Sequence, residues 1–264
     1  MRAVKLYSTG DIRTVNVDVP SPAKDEILIK VEAAGICGTD RHLYHGEFPS
    51  VPEKILGHEF SGIVVDCGET DIPEGARVTC DPNTWCGACS QCQRGRVNLC
   101  INNLATGIHR DGGFAEFCVF PASKAVVLPD KINPLYGAFC EPLACTLHGM
   151  DMGAACEGET VLVIGGGVIG LMAVQLAKLA GAKVLLLTRS PEKQALGLKI
   201  GAHYAVGSES EVRDIWPEGA DLVVECAGVS ATVTLSHKLA RSGGRVVILG
   251  VISQGEQVPI EPFD

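Results

Sequence analysis

Val161-Leu162-Val163-Ile164-Gly165-Gly166-Gly167-Val168-Ile169-Gly170 is the stretch on which the fold turns. Four consecutive apolar residues, mostly β-branched, read as a strand buried on both faces, and an apolar helical pattern follows the glycines. The glycine spacing is G-x-G-x-x-G between that strand and that helix. Gly165 permits the tight turn, Gly167 lets backbone approach a pyrophosphate, and Gly170 lets the helix lie close on the strand. Amides at Val168 and Ile169, in the first turn of the helix, face the anion. The ligand expected of this segment is a dinucleotide.

Outward from it the chain alternates β and α. Residues 168–180 form the helix, closed by Gly181, and 183–187 the second strand. Ser190 caps the next helix with Pro191 at its first position, and Gly201 ends it. Residues 203–206, 221–226 and 245–249 supply three more strands, so a doubly wound parallel α/β sheet is expected. At the end of the second strand, where an acidic residue usually meets the adenosine ribose, stand Thr188, Arg189 and Ser190. A guanidinium and two hydroxyls, with Lys193 close by, suit a 2′-phosphate, so NADP is favoured over NAD. The plainer alternative is a surface arginine beside a helix cap.

Upstream, residues 1 to about 129 show short β-rich runs at 27–31, 61–67 and 115–120, broken by Gly, Pro and Asp. A helical run through Cys140, Leu143, Leu147 and Met150 leads out of this mostly β half. Two domains are expected, 1–149 and 150–264. The chain stops soon after its fifth strand, where such sheets usually have about six, so a truncated C-terminus is expected.

Composition narrows the function classes. The chain has 264 residues, 46% hydrophobic and 20% charged, which describes a globular protein and excludes intrinsic disorder. Twenty-two basic against 31 acidic residues give a net charge of −9, which argues against a nucleic-acid or anionic-membrane partner. The N-terminus lacks the apolar core of a secretory signal, so a cytoplasmic location is expected. In that setting the 12 cysteines favour metal ligands or buried thiols over a disulfide framework.

Their spacing separates the two. Cys86, Cys89, Cys92 and Cys100 form C-x2-C-x2-C-x7-C, four soft ligands suited to a closed tetrahedral zinc; a redox C-x-x-C pair is the weaker reading. A second set is dispersed: Cys37-Gly38-Thr39-Asp40-Arg41-His42, Gly57-His58-Glu59 and Cys140-Glu141-Pro142-Leu143. One thiolate, one imidazole and one or two carboxylates can hold zinc with a coordination position open. Singly, these residues also read as a buried thiol, a core histidine and surface acids.

All three motifs, in this order, resemble the zinc-dependent medium-chain alcohol dehydrogenase family over essentially the whole chain. Glu59 and Glu141-Pro142-Leu143 resemble its polyol (sorbitol) and threonine dehydrogenase branch; classical alcohol dehydrogenases have a cysteine where Glu141 stands, and Cys140 is its neighbour here. The resemblance implies a GroES-like catalytic domain followed by a Rossmann domain, two zinc ions per chain, and NADP or NAD. It also implies a homodimer or homotetramer acting on a small alcohol, polyol or ketone. By position, Cys37, His58 and Glu59 would bind the catalytic zinc, with Glu141 ligating it or holding its water. Thr39 would hydrogen-bond the substrate oxygen and His42 pass its proton outward. A threonine-type or primary-alcohol dehydrogenase, or a catalytically silent NADPH-binding protein, are the alternatives.

Overall fold

The computed structural model describes residues 1–261, in two compact units that divide after Glu141. In the first unit the elements run β1 (Arg2–Ser8), β2 (Asp11–Asn16), β3 (Glu26–Gly35), α1 (Gly38–His45), β4 (Lys54–Ile55), β5 (Glu59–Asp66) and β6 (Arg77–Cys80). There follow β7 (Asn83–Thr84), α2 (Ser90–Gln93), β8 (Leu104–Ala105), β9 (Phe117–Pro121), β10 (Ala125–Val127) and α3 (Pro134–Ala138), and α4 (Cys140–Gly153) starts at its edge. A five-stranded antiparallel sheet, ordered β10-β6-β5-β3-β9, carries the core. Ile27 and Ile29 of β3, Phe60 and Val64 of β5, Val78 of β6 and Phe120 of β9 fill it, with the Phe60 and Phe120 rings edge to face at 5.8 Å. A smaller sheet, β2-β1-β4, packs Leu6 with Leu43 of α1 and Leu56. The mostly β reading of this half agrees with these sheets.

The second unit continues with β11 (Thr160–Ile164), α5 (Val168–Leu179), β12 (Lys183–Leu187), α6 (Pro191–Ile200), β13 (Tyr204–Val206) and α7 (Glu209–Ile215). Then come β14 (Ala220–Glu225), α8 (Ser230–Leu239) and β15 (Ala240–Ile248). The strands are all parallel, in the order β13-β12-β11-β14-β15. Alternate residues of β11, β12 and β14 enter opposite cores. Val161, Val163, Val184, Leu186, Leu222 and Val224 pack one face, and Leu162, Ile164, Leu185, Leu187 and Val223 the other. Burial on both faces is why these strands are nearly continuous Val, Ile and Leu. β15 begins earlier than the 245 expected: Ala240 already pairs with Ala220, and extra residues on β15 bulge out before Arg245 rejoins the ladder opposite Leu222. Among the described residues, no helix is long and apolar enough to cross a membrane.

Strand order reverses between β11 and β14, which opens a crevice at their carboxyl ends. Glu225, the last residue of β14, is fully buried there. Its carboxylate accepts the N–H groups of Ala227 (2.8 Å) and Gly228 (3.1 Å) and the Thr232 hydroxyl (2.7 Å), pinning the loop into α8. Gly250 has no room for a Cβ because Glu225 Oε2 and Gly228 occupy the place. Glu225→Leu strands three donors, and is expected to lower unfolding free energy by about 3 kcal/mol or more in urea titrations; a loss under about 1 kcal/mol would show the clasp to be unimportant.

Candidate active site and cofactor crevice

Cys37 stands between β3 and α1, at the N-cap of the helix. Asp40, three residues on, accepts the Cys37 backbone N–H at 2.9 Å, closing a capping box. Cys37 Sγ reaches Thr39 Oγ1 at 3.7 Å. Thr39 and His42, three apart, share one face of α1. Gly57, at φ +92°, turns the chain into His58, and a Cβ there would strike the Phe114 ring. Glu59 lies opposite Gly35 in the β3–β5 ladder. Since Gly35 lacks a Cβ, the Glu59 carboxylate occupies that space. One ligand atom from each of Cys37, His58 and Glu59 then lies within 4.8 Å of the others.

The donor set fits a dication. His58 is 6% exposed and Asp40 4%; His58 Nδ1 and Asp40 Oδ1 face each other at 3.8 Å, both buried and without a hydrogen-bond partner. An imidazole whose Nδ1–H points to a carboxylate presents Nε2 for a metal. Burial pushes the Cys37 thiol up to about 11, the Glu59 and Glu141 carboxylates add to the rise, and hydrogen bonds from Thr39 oppose it. Burial also raises Glu59, against the pull of His58, and raises Asp40. Groups so reluctant to ionise alone become good ligands when a cation replaces their protons. A thiolate, an imidazole and a carboxylate match zinc's preferences. Glu141, in the first turn of α4, acts on Cys37 electrostatically but is not among the three groups drawn together.

The four-cysteine set also converges, each Sγ within 4.8 Å of the rest. Sulfur separations are 3.5 Å for Cys89–Cys92, 3.5 Å for Cys86–Cys100 and 4.0 Å for Cys89–Cys100. A tetrahedron with zinc–sulfur bonds of about 2.3 Å has edges of about 3.8 Å, so the sulfurs are spaced for one ion. Gly87 (φ +70°) and Gly95 (φ +76°) bend the loop around it. The Cys86 and Asn102 backbone N–H groups donate to Cys100 Sγ at 3.3 and 3.4 Å. Backbone bonds from Ala88 and Cys89 pull Cys86 down to about 6, and those from Cys92 and Ile101 lower Cys89. Burial raises Cys92. Four thiols this close cannot all ionise without a cation among them.

In the second unit Gly165 adopts φ +106°, and a Cβ on Gly170 would collide with the Gly165 carbonyl. Gly167 is the N-cap of α5, and a Cβ placed there meets no atom within 4 Å. The open space thus lies over the glycine that the motif leaves for a pyrophosphate, before the amides of Val168 and Ile169. Thr188 follows β12, packed where a Cβ of Gly166 would sit, and Ser190 caps α6 by accepting the Lys193 N–H. Arg189 and Lys193 are exposed, and among the described residues no hydrogen bond or ion pair engages either side-chain cation.

Asp40 and Glu225 escaped the reading of the sequence. An acid three residues after the cap of α1 is the signal for the first; a lone carboxylate ending an apolar strand is the signal for the second.

A four-thiol loop and a thiol–imidazole–carboxylate cluster in one β unit, with a glycine-rich crevice in a parallel sheet, define a metal-dependent dehydrogenase. The Alcohol dehydrogenase GroES-like domain family matches residues 23–130, and the Zinc-binding dehydrogenase family residues 168–264. The chain is 34% identical to a sorbitol dehydrogenase of Halalkalibacterium halodurans, covering 95% of this chain and 76% of that protein. It is 35% identical to D-arabinitol dehydrogenase 1 of Uromyces fabae, over 99% of this chain and 78% of the relative. A zinc-binding dehydrogenase from Sinorhizobium meliloti 1021, crystallised with NADP, is 55% identical and superposes with a TM-score of 0.95, covering 99% of this chain and 80% of that one. The chain belongs to the zinc-dependent medium-chain alcohol dehydrogenase family, in its polyol and threonine dehydrogenase branch.

Metal analysis is expected to find two zinc ions per chain, the four-thiolate ion slow to exchange and the other readily chelated. Cys89→Ser should lose one ion together with thermal stability, whereas His58→Ala should lose the other with the fold kept. Protein that folds and works with a single zinc overturns the pairing.

Proposed function

We propose that this protein is a zinc-dependent oxidoreductase that interconverts a secondary alcohol or polyol with its ketone, using NADP in preference to NAD. The observation that carries the proposal is the convergence of Cys37, His58 and Glu59 on one point. Those three residues would hold the catalytic zinc, with Glu141 positioned near them as a further ligand or a holder of water. The polyol dehydrogenases among its relatives and the NADP bound to the Sinorhizobium structure support the substrate class and the cofactor. In the same reading the protein works in the cytoplasm as a homodimer or homotetramer.

When bound, zinc polarises the substrate oxygen and the dinucleotide takes or gives the hydride. Asp40 holds the Cys37 loop and faces His58, fixing two of the three ligand side chains. Thr39, beside Cys37, hydrogen-bonds the reacting hydroxyl and accepts its proton in oxidation. His42, one turn further along α1, receives that proton and passes it toward solvent; the carbonyl-reducing direction reverses the path. Gly165, Gly167, Val168, Ile169 and Gly170 seat the pyrophosphate, and Thr188, Arg189, Ser190 and Lys193 meet the adenosine ribose and its 2′-phosphate.

Turnover of a polyol and alcohol panel with each cofactor tests the activity; no oxidation of any member by zinc-replete protein would refute it. Thr39→Ala should lower kcat at least ten-fold while cofactor Kd stays fixed, and Thr39→Ser should restore much of the loss. A charge-assisted bond is worth about 1.5–3 kcal/mol, so Arg189→Ala should weaken NADP binding by about ten- to hundred-fold and leave NAD binding nearly unchanged. Tighter binding of NAD than NADP by the parent protein would overturn the cofactor assignment.

A further inference from the structure

We propose that Glu47 is the positioning residue for His42 and the group through which the site's proton reaches water. The inference rests on the reading of His42 as the proton conduit.

It starts from the end of α1. Gly46, at φ +71°, caps the helix in the left-handed conformation, and its neighbour's N–H, that of Glu47, bonds back to the His42 carbonyl at 2.9 Å. This reversal returns the Glu47 carboxylate to the imidazole, with His42 Nδ1 and Glu47 Oε2 2.5 Å apart. The next residue, Phe48, stacks its ring on the imidazole at 4.6 Å with 26° between the planes. His42 is therefore held at one nitrogen and across one face, which an idle surface histidine does not require. The pair also leads outward: the His42 side chain is 20% exposed and that of Glu47 38%.

Other charged groups on α1 do not compete. Asp40 is turned to the Cys37 amide and His58, while Arg41 and His45 are exposed and form no ion pair with His42. From the segment after the helix, Glu47 is the one described residue that places a carboxylate on the ring. An imidazole donating Nδ1–H to a carboxylate is fixed in the tautomer with Nε2 unprotonated, ready to accept a proton. When Nε2 takes the proton, the imidazolium is stabilised by Glu47; release of the Nδ1 proton through the carboxylate to water leaves the neutral Nε2–H ring, which returns to the Nδ1–H tautomer by proton exchange with solvent before the next turnover. The alcohol loses its O–H proton by this route while its C–H hydride leaves for the dinucleotide.

The test reads the imidazole directly. Nitrogen-15 NMR of cofactor-free, zinc-replete protein, with His42 assigned through His42→Gln, should show the Nδ1–H tautomer in the parent. In Glu47→Gln, which keeps a hydrogen-bond acceptor and removes the charge, the His42 Nδ1–H signal should shift as the bond loses its charge assistance. Glu47→Ala should in addition lose the tautomer preference. In alcohol oxidation Glu47→Gln should lower kcat several-fold with KM and cofactor Kd unchanged. An unchanged His42 Nδ1–H signal and tautomer in both variants overturn the coupling. A His42→Gln variant with the parent pH profile instead refutes His42 as conduit, and with it any role for Glu47 in proton release; the NMR shifts would still record the contact.

Discussion

The catalytic half depends on one buried carboxylate. Asp40 accepts the amide of Cys37 and faces the ring of His58, so a single side chain ties the start of α1 to the turn before β5. These segments are 20 residues apart in sequence, and each supplies one ligand atom to the cluster. Burying a carboxylate is costly unless it is well paired. Here desolvation still raises the carboxyl, and the imidazole of His58 with the amides of Cys37 and Gly57 offsets only part of it. The arrangement places the rigidity of a helix cap directly behind the thiol of the candidate metal cluster, where small displacements matter most.

Close backbone approach recurs as the second constraint. Gly35 leaves space for the Glu59 carboxylate, Gly57 for the Phe114 ring, and Gly170 for the Gly165 carbonyl. Each is a place where a functional group and a neighbouring strand or helix share a volume that a methyl group would fill. Gly167 differs from these, since nothing in the protein lies where its side chain would be.

Regular elements of the second unit were legible because their chemistry is local. The strand at 183–187, the start of α5 at Val168, the Ser190 cap with Pro191, and the stop at Gly201 all stand where the pattern placed them. The four-cysteine loop was equally plain, since its donors lie within one short stretch and the loop bends at Gly87 and Gly95. What sequence spacing could not supply was register and facing. That Glu59 lies across from Gly35 is set by the β3–β5 ladder with its two shifts, and that Asp40 faces His58 requires α1 and the Gly57 turn to be folded. β15 began early for a similar reason: Ala240 already pairs with Ala220, and a bulge on β15, opposite the step from Ala220 to Leu222, brings Arg245 back into the ladder. Glu225 received no role from the sequence, since the donors its carboxylate accepts come from residues after it.

The strand order of the second unit also sets how the sheet can be assembled during synthesis. β11 leaves the ribosome first and occupies the centre; β12 and β13 add to one side of it, then β14 and β15 to the other. Every new strand finds its neighbour already made, although one edge of β11 stays free until β14 is translated. Parallel pairing is slow and prone to misassociation when distant strands must find each other. Growth outward from a finished centre keeps the exposed apolar edge to one strand on each side at every stage, and the glycine-rich turn that follows β11 is in place before the rest of the crevice is built around it.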